Sequence, residues 1–112
     1  MSTDAGTTAT VSLVGITTTV PNVEPVVLAA MARLRLCYRT GLAHDPAMMG
    51  RLGLLLKVRP NGAVASATLT SNTGLSPDVA KCVAAAAGAW RFERPAAGSD
   101  PTVTFALFFM LR

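Results

Sequence analysis

The run "TVTFALFFML" at residues 102–111 restricts the folds open to this chain more than any other feature. As a strand it would place Val103, Phe105, Leu107, Phe109 and Leu111 on one face and Thr104, Ala106, Phe108 and Met110 on the other. Both faces are then largely apolar. The run is too short for the roughly 18–20 residues of a membrane-spanning helix. Helices packed on one side of a sheet would cover only half of such a strand. The remainder calls for a further cover, supplied by another strand of the chain, a second copy or a foreign segment.

The upstream sequence supplies partners for this strand. "TVSLVGITTTV" (10–20) is rich in β-branched residues and closes at Pro21-Asn22, which reads as a strand. Its apolar alternation changes phase near Gly15, the mark of a bulge or bend. "EPVVLAAMARLRLCYRTGL" reads as one helix, with Pro25 in its first turn and a stripe of Val27, Met31, Leu34 and Tyr38. Gly41 and Asp45-Pro46 end it. "GRLGLLLKVRPNGAVASATLTS" is a hairpin whose Leu52, Leu54, Leu56 and Val58 share one face, with Pro60-Asn61-Gly62 as its turn. A second helix follows in "LSPDVAKCVAAAAGAW". Ser76 is placed to cap it, Pro77 and Asp78 suit its first turn, and Val79, Cys82, Val83, Ala86 and Trp90 form its stripe.

The order strand, helix, hairpin, helix, strand predicts an α+β domain, an antiparallel sheet with two helices packed on one face. Residues 1–8 read as a flexible tail or linker end and 9–112 as a single domain. A chain of 112 residues, 51% of them apolar, fits one folded core.

Chemistry-bearing patterns are sparse. The carboxylates Asp4, Glu24, Asp45, Asp78, Glu93 and Asp100 are scattered, and Asp78 and Asp45 already have helix-start and turn roles. His44 stands alone in a loop, too few soft ligands accompany the cysteines for zinc, and no phosphate-binding glycine pattern occurs. The reading is a non-enzyme without catalytic residues, cofactor or metal. The net charge of +4 is spread over dispersed arginines with no interleaved aromatics, which argues against a nucleic-acid partner. Trp90 and Phe92 read as core anchors and not as a ligand platform. The start of the chain has no signal-peptide pattern, which fits either a cytoplasmic protein or a piece of a longer exported one.

The two cysteines, Cys37 and Cys82, fall on or beside the apolar stripes of the two helices. From placement alone, two separate buried thiols and one bridge are equally good readings. The surrounding pattern adds a resemblance. "LRLCYRTGLAHDPAMMGRLGLLLKVRPNGAV", "SPDVAKC", "AWRFERP" and the final apolar strand together resemble the TonB C-terminal-like domains of the AgmX/PglI type from myxobacterial proteins. The matching positions are Cys37, Tyr38, Asp45, Pro46, Gly50, Arg51, Gly62, Val64, Cys82, Trp90, Phe92 and Pro95. Arg39 replaces the acidic residue common after the family's Cys-Tyr, and "AAGSD" replaces its usual glycine pair.

The resemblance implies a TonB-like fold with an extra N-terminal strand and a Cys37–Cys82 disulfide, with Tyr38, Gly62, Trp90 and Phe92 as structural anchors. It implies a periplasmic domain tethered to an inner-membrane anchor outside this sequence, working in an energy-transduction, transport or gliding-motility machine of the envelope. The partner would be a protein or peptide, such as an outer-membrane or envelope protein, that adds an extended strand to the sheet. The receiving edge would be the last strand, through Thr102, Val103, Thr104, Phe105, Ala106, Leu107, Phe108, Phe109 and Met110. A strand-paired homodimer is the alternative use of the same edge.

Overall fold

Four segments form strands in a computed structural model that describes residues 9–96, 98 and 101–111; the tail read at 1–8 lies outside them. Strand β1 spans Ala9–Thr18, β2 Gly50–Val58, β3 Val64–Thr73 and β4 Thr102–Leu111. They form one antiparallel sheet in the order β1-β4-β2-β3. Helices α1 (Val23–Ala29), α2 (Met31–Leu42) and α3 (Pro77–Gly88) complete a compact α+β domain. Among the described residues no helix is long and apolar enough to cross a membrane.

The predicted single helix over 24–42 is two. Ala30, at φ −92° and ψ 0°, ends α1 and begins α2, and its amide donates to the Val27 carbonyl in a tight turn. The apolar stripe crosses this break intact, because Val23, Val27, Met31, Leu34 and Tyr38 are all buried. Helix α3 begins as expected. Ser76 caps it, its hydroxyl oxygen accepting from the Val79 amide at 3.3 Å, and Asp78 lies in the first turn. The hairpin β2–β3 turns at Gly62, whose φ of +91° favours glycine, and whose missing Cβ leaves room for the Phe92 carbonyl.

The core lies between the helices and one sheet face. Leu52, Leu54, Leu56 and Val58 of β2 and Val103, Phe105, Leu107 and Phe109 of β4 are buried there. Tyr38 ties the layers together. Its ring meets Phe109 edge-on at 5.3 Å, and its hydroxyl donates to the Met48 carbonyl ahead of β2. Burial holds the Tyr38 hydroxyl above the usual tyrosine pKa of 10.0. Trp90 lies just past α3, half-buried, stacked on Phe105 at 6.0 Å and edge-on to the buried Phe92 at 6.5 Å. It is therefore a clamp at the core's rim rather than the end of the α3 stripe.

The expected outer edge at 102–111 is corrected by the topology. Strand β4 is central: β1 pairs with it on one side, from Ala9↔Leu111 to Thr18↔Val103, and β2 on the other, from Gly50↔Phe109 to Lys57↔Thr102. Strand β1 thus flanks β4 within the sheet, while Phe108 and Met110 on the face away from the helices stay exposed. The edges of the sheet are β1 and β3.

Candidate interaction surfaces

Three regions carry features beyond packing: the inter-helix seam, the sheet edges and the sheet face without helices. At the seam Cys37 and Cys82 are joined, with S–S 2.06 Å and Cα–Cα 5.6 Å. Cys37, on the flank of its helix's apolar stripe, is 1% exposed. Cys82 is exposed, not core-facing, and the buried face of α3 is Val79, Ala80, Val83 and Ala87. The two helices pack so that α2 contributes an interior position and α3 a flank, and the bond lies across the seam.

Beside the bond, Thr40, His44, Asp45, Ser76 and Asp78 line a cleft of about 150 Å³. Several of these side chains have local structural roles. Ser76 caps α3, and Asp45 accepts from the Ala47 amide at 3.3 Å within its own turn. His44 is exposed at the turn that closes α2. Among the described residues no cluster of three or more His, Cys, Asp or Glu could hold a metal ion.

The two edges differ in chemistry. Strand β3 is polar, "VASATLTSNT", and mostly exposed. The outer side of its entry is occupied, because Ala63 bridges Arg91 and the Phe92 amide donates to the Gly62 carbonyl at 2.8 Å. Strand β1, "ATVSLVGITT", is the apolar edge. Val11, Leu13, Val14 and Ile16 are only half-buried, although Val11, Leu13 and Ile16 pack against the core. Its register with β4 is regular from Ala9 to Val14, then breaks before Thr17 at the bulge that Gly15 makes with φ +66°. The strand has no charge and no proline.

The uncovered face is read from the registers. Its rows are Ser12–Phe108–Arg51–Thr73, then Val14–Ala106–Gly53–Ser71, then Thr17–Thr104–Leu55–Thr68. Hydroxyl residues dominate the outer strands and apolar ones the middle. The Arg51 guanidinium lies 5.6 Å from the centre of the Phe108 ring. At this end of the sheet Met49, Gly50, Arg51, Thr73, Phe108 and Met110 help line an open hollow of about 440 Å³.

Of the positions singled out in the sequence, Tyr38, Phe92, Val103, Phe105, Ala106, Leu107 and Phe109 are buried, while Thr104, Phe108 and Met110 face outward on the open face. Sequence reasoning did not identify the β1 edge or the Arg51–Phe108 pair as a surface. Arg51 and Phe108 meet only through the β2–β4 register, so no local signal reveals them. The chain matches no protein-family model, no curated protein and no solved structure.

Proposed function

We propose that this domain is a non-enzymatic interaction module of the periplasm, resembling a TonB C-terminal domain, that binds an extended partner segment by strand addition. The observation that carries the reading is the outer edge of β1. From Ala9 to Val14 it offers a regular, uncharged, proline-free ladder whose Val11, Leu13 and Val14 remain half-exposed. Long apolar edges are otherwise blunted by charge, proline or cover, because they recruit other strands. An added strand would satisfy the free backbone groups of β1 and cover its apolar side chains. The receiving strand in this reading is β1, because both sides of β4, where the resemblance located the partner, are already paired. The inter-helix disulfide is compatible with an oxidising compartment. Anchored through a tether outside this sequence, such a module would serve an energy-transducing or motility machine of the envelope.

The test exploits the alternation of amides along a strand. Of the neighbours Ser12 and Leu13, one amide bonds to β4 and the other points outward. Proline at the outward position removes a donor that only an added strand uses. Ser12→Pro and Leu13→Pro are made, and circular dichroism identifies the variant that stays folded. Binding of segments selected from a displayed random library is then measured. The folded variant should lose binding. Retained binding excludes β1 as the receiving edge, and light scattering of the parent alone separates partner capture from pairing with a second copy.

A further inference from the structure

The hollow on the uncovered face has a composition that specifies an occupant. Met49 is 52% exposed, Met110 40% and Phe108 38%, so three of the chain's large exposed apolar side chains gather around one cation, Arg51. Isolated apolar residues on a surface need no explanation, but a cluster around a cavity marks a binding site. The four strands contain Arg51 and Lys57 and no carboxylate; Glu24, Asp45, Asp78 and Glu93 all lie on helices or loops. Among the described residues the strands thus give this face cations, apolar groups and hydroxyls but no acid.

We infer that this hollow is a specificity pocket for a protein segment carrying an acidic residue beside a large apolar one. Met49, Phe108 and Met110 receive the apolar side chain, and Arg51 receives the carboxylate. The assignment of a protein segment as occupant rests on the strand-addition reading above. Thr10 and Ser12, the open-face residues of β1, stand opposite Met110 and Phe108. A strand added outside β1 lies about 9–10 Å from β4, two inter-strand spacings. Only these small hydroxyl residues lie between its open-face side chains and the hollow. Arg51 leans over Phe108, towards that same side of the sheet.

The chemistry suits this division of labour. Methionine side chains adapt to apolar groups of different shape. Arginine over an aromatic ring keeps its outer donors for a carboxylate, which its planar fork can grip with two hydrogen bonds. Single-stranded nucleic acid fits less well, because it needs a track of phosphate contacts. Here the second strand cation, Lys57, is six positions along β2 from Arg51, roughly 20 Å away.

A displayed library of random segments about ten residues long, selected on the oxidised protein, decides the matter. The inference expects selected segments to be enriched in Asp or Glu next to Leu, Ile, Met or Phe. Arg51→Gln should weaken the acidic binders about tenfold or more while leaving binders that lack the acid unchanged. Met110→Thr and Met49→Thr should weaken both sets of apolar-bearing binders. These side chains are exposed, and thermal melts confirm that each variant is folded. Binders without acidic preference, or an acidic preference that survives Arg51→Gln, would overturn the pocket while leaving strand addition intact. Failure to select any binder would overturn strand addition and the pocket with it. Oligothymidylate or anionic phosphatidylglycerol vesicles are assayed in parallel, and binding of either that depends on Arg51 and exceeds that of the segments would overturn the protein assignment.

Discussion

Cys82 is the residue whose environment the sequence misrepresents most. Its spacing from Val79 and Val83 places it on the apolar stripe, yet it is exposed, and only its partner Cys37 is interior. Helical spacing identifies a face but not how much of it a neighbour covers, and α2 meets Cys82 through the bond while leaving it exposed. The bond closes a separation of 45 residues, for which the chain-entropy model gives about 4 kcal/mol. Intact mass with and without reductant should show one bond and no alkylatable thiol in the folded oxidised protein. Reduction should lower the unfolding free energy by about that amount, and two freely alkylated thiols in the unreduced protein would refute the pairing. Tyr38 provides a second residue-scale test, because it is the only tyrosine. Its folded pKa is raised by burial, so the native state keeps a proton that the unfolded chain releases above about pH 10. The stability from this group is complete below the unfolded value and is lost as pH rises through the folded one. Tyrosinate absorbance of the native protein should therefore develop at higher pH than that of the denatured protein, and Tyr38→Phe should remove this part of the alkaline destabilisation.

At the scale of elements, the sequence reveals strands and helices well and their neighbours poorly. The alternation of Leu52, Leu54, Leu56 and Val58, the turn at Gly62 and the cap at Ser76 are local signals, and each appears in the structure where expected. The break at Ala30 leaves no trace, because alanine suits both helices and the turn between them. With β1 alongside it but Phe108 and Met110 exposed, the two-faced pattern of β4 is covered only in part. It cannot distinguish a central strand from an edge awaiting a partner, since both bury apolar residues beyond the helices' reach. That distinction fixes the outcome of proline substitution. With β1 on one side and β2 on the other, every amide in the middle of β4 faces a strand partner. Thr104→Pro and Ala106→Pro should both unfold the domain, where an edge strand would tolerate one of them. Circular dichroism and thermal melts provide the check, and a cooperative melt near that of the parent in either variant would contradict the sheet order. Trp90→Ala should cost about 3 kcal/mol, the lower end for a buried tryptophan, because the ring is only half-buried but stacks on Phe105. Urea denaturation measures it, and a change below about 1 kcal/mol would remove Trp90 from the set of anchors.

At the scale of the whole molecule, the first and last strands of the described chain are hydrogen-bonded neighbours, with Thr10 opposite Met110. A pairing across nearly the whole sequence has no local signature, so the sequence shows β4 only as an apolar strand in search of cover and gives no sign that β1 is an edge of the sheet. It also makes the fold depend on its final segment. Strand β4 joins β1 to the β2–β3 hairpin and presents Val103, Phe105, Leu107 and Phe109 to the helices. Without it β1 has no ladder, Tyr38 loses Phe109 and Trp90 loses Phe105. The disulfide joins α2 to α3 and constrains neither β1 nor β4, so it cannot compensate. A chain ending at Pro101 should consequently show no cooperative unfolding and should expose Trp90, red-shifting its fluorescence, even with the bridge formed. Adding residues 102–111 as a separate peptide should restore cooperative unfolding and the native emission. If the shortened chain melts cooperatively by itself, β4 is an accessory strand, and its central place in the sheet does not determine where a partner can bind.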